Sequence, residues 1–233
     1  MNRHRLFSAL LMAVGIPSAL LFRIYVDGVR SYYIAGTAII LLSVAAFILE
    51  FEGRKPQTAE LVTIAALSAI AALGRMAFYA LPQFKPIMAV IVISGLCFGG
   101  RAGCLVGVVS VFVSNFAFGQ GPLTPWQMFG FGLAGFISGT LFSRSKHLKE
   151  SRLFVSFIGA FLAFVPYGLI INPASAFTLY GNETTLGEVI ASYISGFPFD
   201  LVHAVSTFLF LYVLYKPLTV KLERIKIKFG LMR

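Results

Sequence analysis

The chain has 233 residues, is 58% hydrophobic and only 12% charged, and its mean hydropathy is +0.86. That composition excludes an ordinary water-soluble domain and points to a membrane protein. A formal net charge of +10 raises nucleic acid as a partner, but the placement of the basic residues reads as membrane orientation and anionic-lipid contact instead.

Apolar runs occupy residues 6–24, 32–50, 60–80, 87–100, 102–117, 126–143, 153–171 and 188–215, each near or somewhat off the ~20 residues that cross a bilayer. An unpaired backbone group in hydrocarbon costs several kcal/mol, so runs of this length are helices and not open sheet. The sequence therefore predicts an all-α membrane protein of eight spans, a six-helix bundle preceded by two extra transmembrane helices, with both termini cytoplasmic. Arg3-His4-Arg5 before the first run looks like the start of a signal peptide, but the run continues through Leu20, Leu21 and Phe22 without a clean small-residue cleavage site, which reads as an uncleaved anchor. The segment FEGRKPQTA at 51–59 is the clearest punctuation. It divides a two-helix appendage, 1–55, from a six-helix core with a basic cytoplasmic tail, 56–233.

In that topology Arg3, Arg5, Arg54, Lys55, Arg101, Arg144, Lys146, Lys149, Arg152 and the basic residues from Lys216 to Arg233 lie inside. Only Arg23, Arg30 and Lys85 lie outside, as the positive-inside rule requires. The tail alternates Lys221, Arg224, Lys226 and Lys228 with Leu222, Ile225, Ile227 and Phe229, a basic amphipathic pattern suited to an inner-leaflet surface or to a solvated helix end. Cys97 and Cys104 flank the inner turn at Arg101 and read as small apolar filler.

Within the core, small residues recur every fourth position: Gly95 and Gly99, Gly103 and Gly107, Gly135 and Gly139, Ala65 and Ala69. Such faces let helix backbones approach closely in lipid. For the glycines the expectation is internal packing; for Ala65 and Ala69 contact with a different subunit is an open alternative.

Three ionisable side chains fall inside apolar runs, where a charge costs about 2.5 to 3.5 kcal/mol on insertion scales and faces a bundle interior or water. Arg75 lies near the outer end of its run. Asp200 and His203, three apart just past Pro198, share a helix face. The chain has no HExxH, no GxSxG and no phosphate-binding loop, and its three histidines do not make a ligand set; neither a catalytic residue, a metal site nor a cofactor is predicted.

The most informative segment is SNFAFGQGPLTPWQ at 114–127, a charge-free polar turn between apolar runs. It gathers Asn115, Gln120, Thr124, Trp126 and Gln127, the kind of groups that orient a small molecule in a mostly apolar pocket. Two further outer loops converge with it, Leu81 to Pro86 and Asn172 to Gly187, carrying Gln83, Lys85, Thr178, Tyr180 and Asn182.

The stretches GRMAFYALPQFKPIMAVIVISG, SNFAFGQGPLTPWQMFGFGLAG and GFPFDLVHAVSTFLFLYVLYKPL, in that order over about residues 60–218, resemble the substrate-binding S components of energy-coupling factor (ECF) vitamin transporters. The resemblance implies a vitamin held near the outer face by the loops after the first, third and fifth core helices. It implies partners: a transmembrane coupling subunit and two cytoplasmic ATPases, with the S component toppling in the membrane to release its cargo inward. It places Ala65 and Ala69 at the contact with the coupling subunit and the chain in the bacterial plasma membrane. Its GQGPLTPWQ loop is most similar to a cobalamin-related subgroup. The expected binding residues are Arg75, Gln83, Lys85, Asn115, Gln120, Trp126 and Gln127, with Asp200 and His203 bracing the site. A proton-coupled secondary transporter using Asp200 and His203 as a relay and an intramembrane enzyme stay open as alternatives.

Overall fold

The computed structural model describes residues 10, 14–15, 18, 29–48, 57–144, 149–181 and 184–231. Most of the first predicted span, the punctuating segment up to residue 56, and the charges at Arg3, Arg5, Arg23, Arg54, Lys55, Lys146 and Arg233 lie outside them. The described residues are all-helical, without strands: α1 (Val29–Ile48), α2 (Thr58–Ala77), α3 (Ile87–Phe98), α4 (Gly100–Phe118), α5 (Thr124–Arg144), α6 (Arg152–Tyr180) and α7 (Leu186–Phe229). Four of them, α2, α4, α6 and α7, are long and apolar enough to cross a membrane.

The short α3 organises the bundle. All twelve of its residues are buried, and it packs against α2, α4, α5, α6 and α7. At 1.5 Å per residue it is about 18 Å long, well short of a ~30 Å hydrocarbon core, so the chain joining α2 to α3 dips into the bundle. Ser206 in α7 donates a hydrogen bond to the Lys85 carbonyl at 3.1 Å, which pins that dip. At its other end α3 stops at Gly99, whose φ of 94° lets α4 begin at once. There Lys149 Nζ donates to the Leu96 carbonyl at 3.2 Å and Lys226 Nζ to the Cys97 carbonyl at 2.6 Å. Two cations thus satisfy terminal carbonyls at the negative end of the helix dipole.

The α4–α5 contact is built from the glycines read in the sequence. A Cβ on Gly107 would lie 2.6 Å from the Phe131 carbonyl oxygen, and one on Gly95, Gly103, Gly135 or Gly139 would also meet backbone of the crossing helices. This is close approach of the small-residue kind. The helix α1 packs on α4 and α5 and buries Ala35, Ile39 and Ser43.

Two expectations change. The run predicted to end at 171 continues as helix to Tyr180, so the stretch from Asn172 to Tyr180, expected as loop, is helical. Proline at 173 removes an N–H and would orphan the carbonyl four residues back. Tyr193 of α7 donates its hydroxyl to that Leu169 carbonyl at 3.3 Å, and the helix survives. Likewise α7 does not stop near 215. It runs 44 residues, about 66 Å, from a capping box in which the Thr185 N–H donates to Glu188 Oε2 at 2.6 Å to a left-handed Gly230. Leu231 closes that end, its N–H donating to the Lys226 carbonyl at 3.0 Å. With Leu222 and Leu231 buried, the basic tail is tied beneath α3 rather than lying free.

Candidate ligand-binding site

At the end of the bundle opposite those lysines, six elements converge. Arg75 occupies the last turn of α2 and is 8% exposed. Its Nη1 donates to Ser114 Oγ at 2.6 Å and to Asn115 Oδ1 at 2.5 Å, both from the last turn of α4. The Asn115 amide then donates to Thr124 Oγ1 at 3.1 Å and Gln127 Oε1 at 2.9 Å in the first turn of α5. A single asparagine therefore ties together the ends of three helices, and every oxygen in the chain faces a donor.

Beside this network lies a cavity of about 140 Å³ lined by Arg75, Gln83, Lys85, Gln127 and His203, with Ile87, Phe118, Phe131 and Tyr167 as its apolar walls. The dipping loop delivers Gln83 and Lys85. Gln83 holds a left-handed φ of 55°, unusual for a residue with a Cβ and of the sort that clusters at ligand sites. The Arg75 guanidinium carbon lies 4.4 Å and the Lys85 ammonium 5.1 Å from the centre of the same Phe118 ring, a cation–π arrangement that holds two like charges side by side. Burial pushes the Lys85 ammonium below its ordinary range, and the neighbouring Arg75 charge adds to the effect. His203, 2% exposed, packs on Phe131 and Tyr167 with centroids 5.6 and 4.9 Å away, and its Nδ1 has no hydrogen-bond partner.

Of the residues expected at the site, Arg75, Gln83, Lys85, Gln127 and His203 line the cavity and Asn115 stands directly behind it. Gln120 turns back on α4, donating to the Phe112 carbonyl at 2.9 Å, and Trp126 is partly buried against the core; neither lines the cavity. Asp200 does not meet His203. It lines a second cavity, about 240 Å³, between α6 and α7 with Phe164, Leu169, Tyr193 and Phe197, and accepts a 2.7 Å hydrogen bond from the Asn172 amide. Residues three apart on a helix are about 60° apart around its axis, enough to divide them between two cavities. Phe131 and Tyr167 carried no sequence signal beyond being aromatic in apolar runs, and Phe118 lies in the polar turn at 114–127 without a polar group to single it out. Ala65 and Ala69 are exposed on α2, beside exposed Leu61, Val62, Ile70 and Leu73, so the internal-packing reading does not apply to them.

A helical membrane bundle with buried polar groups converging on one small cavity is the architecture of a small-molecule binding membrane protein. Residues 59–215, more than half of the chain, match the family described as ECF transporter, substrate-specific component, and the chain belongs to that family. It is accordingly a multi-pass membrane protein, in bacteria of the cell membrane. No curated protein and no solved structure matches the chain.

Proposed function

We propose that this chain captures a vitamin or related micronutrient in the 140 Å³ cavity and hands it to an ATP-driven module of a transmembrane coupling subunit and two cytoplasmic ATPases. The observation that carries the reading is the cavity itself, where Arg75, Lys85 and Gln127 meet apolar walls and the nearly wholly buried His203 keeps a ring nitrogen without a partner. An unpaired buried polar atom costs about 1–3 kcal/mol, and such atoms are rare enough in a packed interior to mark the place. The exposed Ala65 and Ala69 face supports docking of the coupling subunit, since small side chains allow close helix approach in lipid.

A cavity of this size supports a compact micronutrient. Drug-sized ligands occupy about 300–1,000 Å³, and a corrinoid would require the mouth to open far beyond the described geometry. Uptake of radiolabelled micronutrients in cells expressing the chain with and without its ATPase partners tests the proposal. Uptake that requires the ATPases, with binding that does not, is the expected outcome; uptake that survives without them and follows the proton gradient refutes it.

A further inference from the structure

The charge balance of the cavity restricts what fits it, and this inference rests on the proposed capture role. Arg75 and Lys85 both face the cavity, and no aspartate or glutamate is among its described lining residues. Among the described residues, the oxygens bonded to Arg75 are neutral ones, from Ser114 and Asn115, and the Lys85 ammonium donates to the Leu81 carbonyl at 3.1 Å. The one nearby carboxylate that α7 supplies, Asp200, is held in the other cavity by Asn172. Two partly desolvated cations without a counter-charge are costly, and the cost is lifted by an anion placed between them.

Size and wall chemistry narrow the anion. An apolar cavity of about 150 Å³ holds one benzene, so 140 Å³ admits a single small ring with a short substituent. Phe118 lies under the two cations, while Phe131, Tyr167 and His203 form a second aromatic cluster, with Phe131 and Tyr167 centroids 4.8 Å apart. Aromatic walls of this kind favour a ring in offset or edge-to-face contact. We infer that the cavity takes a compact aromatic or heteroaromatic carboxylate, its carboxyl group between Arg75 and Lys85 and its ring against Phe131, Tyr167 and His203.

The test pairs each acid with its neutral amide, benzoate with benzamide and the pyridine carboxylates with their carboxamides, titrated into the purified full chain in nanodiscs, alongside phenyl phosphate. Mass spectrometry of any copurifying small molecule runs in parallel. The expected result is a carboxylate that binds at least thirtyfold tighter than its amide and loses about tenfold in Lys85→Gln, a half-exposed position that does not threaten folding. Arg75→Gln, which breaks the Ser114 and Asn115 bonds, is read only with a matched thermal unfolding curve, and lost binding in a folded R75Q chain supports the inference. Amide binding equal to its acid, a neutral or cationic copurifying ligand, or K85Q without effect overturns the inference and leaves the capture role standing. Phenyl phosphate binding more tightly than benzoate overturns the carboxylate assignment. A folded chain that binds no small molecule at all sinks both.

Discussion

The substitution Gly107→Ala tests the coupling between helix packing and the cavity. An added Cβ would sit 2.6 Å from the Phe131 carbonyl oxygen, 2.7 Å from its carbonyl carbon and 2.8 Å from the Gly132 nitrogen. Those are backbone atoms and cannot rotate away, whereas comfortable carbon–oxygen contacts start at about 3.3 Å. So α4 and α5 must part by roughly 0.7 Å at this point. Overpacking of that kind costs about 1–3 kcal/mol, more than the ~1 kcal/mol alanine gains over glycine in a helix, so the net effect is destabilising. At 2–4 °C per kcal/mol for a chain of this size, a net loss of about 1 kcal/mol should bring unfolding about 3 °C earlier. Because Phe131 is a cavity wall, ligand affinity should fall about tenfold as well. Gly121→Ala, where an added Cβ meets nothing within 4 Å, is the control and should match the parent. A G107A protein as stable and as tight-binding as the parent would refute the claim that this crossing sets the geometry of the site.

Ala65→Leu and Ala69→Leu should leave thermal stability within about 0.5 kcal/mol and ligand binding unchanged, while abolishing uptake in cells; uptake that survives both substitutions, or equal loss of binding, would refute docking on this face. The Lys85 proton gives a pH signature. Its affinity for protons is lowered in the folded, ligand-free chain from an ordinary pKa of 10.5, so as pH rises toward that value the folded chain sheds the proton before the unfolded chain does. Stability of the ligand-free protein should therefore increase through that alkaline window, and anion affinity should decrease through it. Arg75, Tyr167 and His203 line the same cavity, so the assignment rests on K85Q losing the alkaline fall in affinity. Tyr193→Phe leaves the Leu169 carbonyl without its donor and should cost about 0.6–1.7 kcal/mol in the bilayer, read from unfolding midpoints.

The helices were legible because hydrocarbon admits no other solution for their backbones, and the observed bounds of α2 to α5 lie within a few residues of the apolar runs. What hydropathy missed were the ends that side chains repair from afar. Nothing near Pro173 announces that Tyr193 will take over its lost bond, and the break expected at Asn172 followed from treating proline as a local matter. Of the polar turn at 114–127, Gln127 lines the cavity and Asn115 stands in the network behind it. Gln120 and Trp126 do not line the cavity, because Gln120 is spent on a carbonyl of α4 and Trp126, in the first turn of α5, packs against the core. Asp200 and His203 shared a face on the helical wheel, yet α6 packs against that face and separates them. The twelve-residue α3 is visible in the sequence as a short run; its consequence, a loop drawn down to bring Lys85 beside Arg75, is not.

Native mass spectrometry of the full chain released from nanodiscs bears most directly on the cavity as the capture site. One small-molecule adduct per chain is predicted, displaced stoichiometrically by the transported micronutrient and lost when Ile87→Trp fills the space between α3 and the cation pair. An adduct that persists undiminished in folded I87W, or a parent chain that carries none after exposure to a full micronutrient panel, would contradict the account.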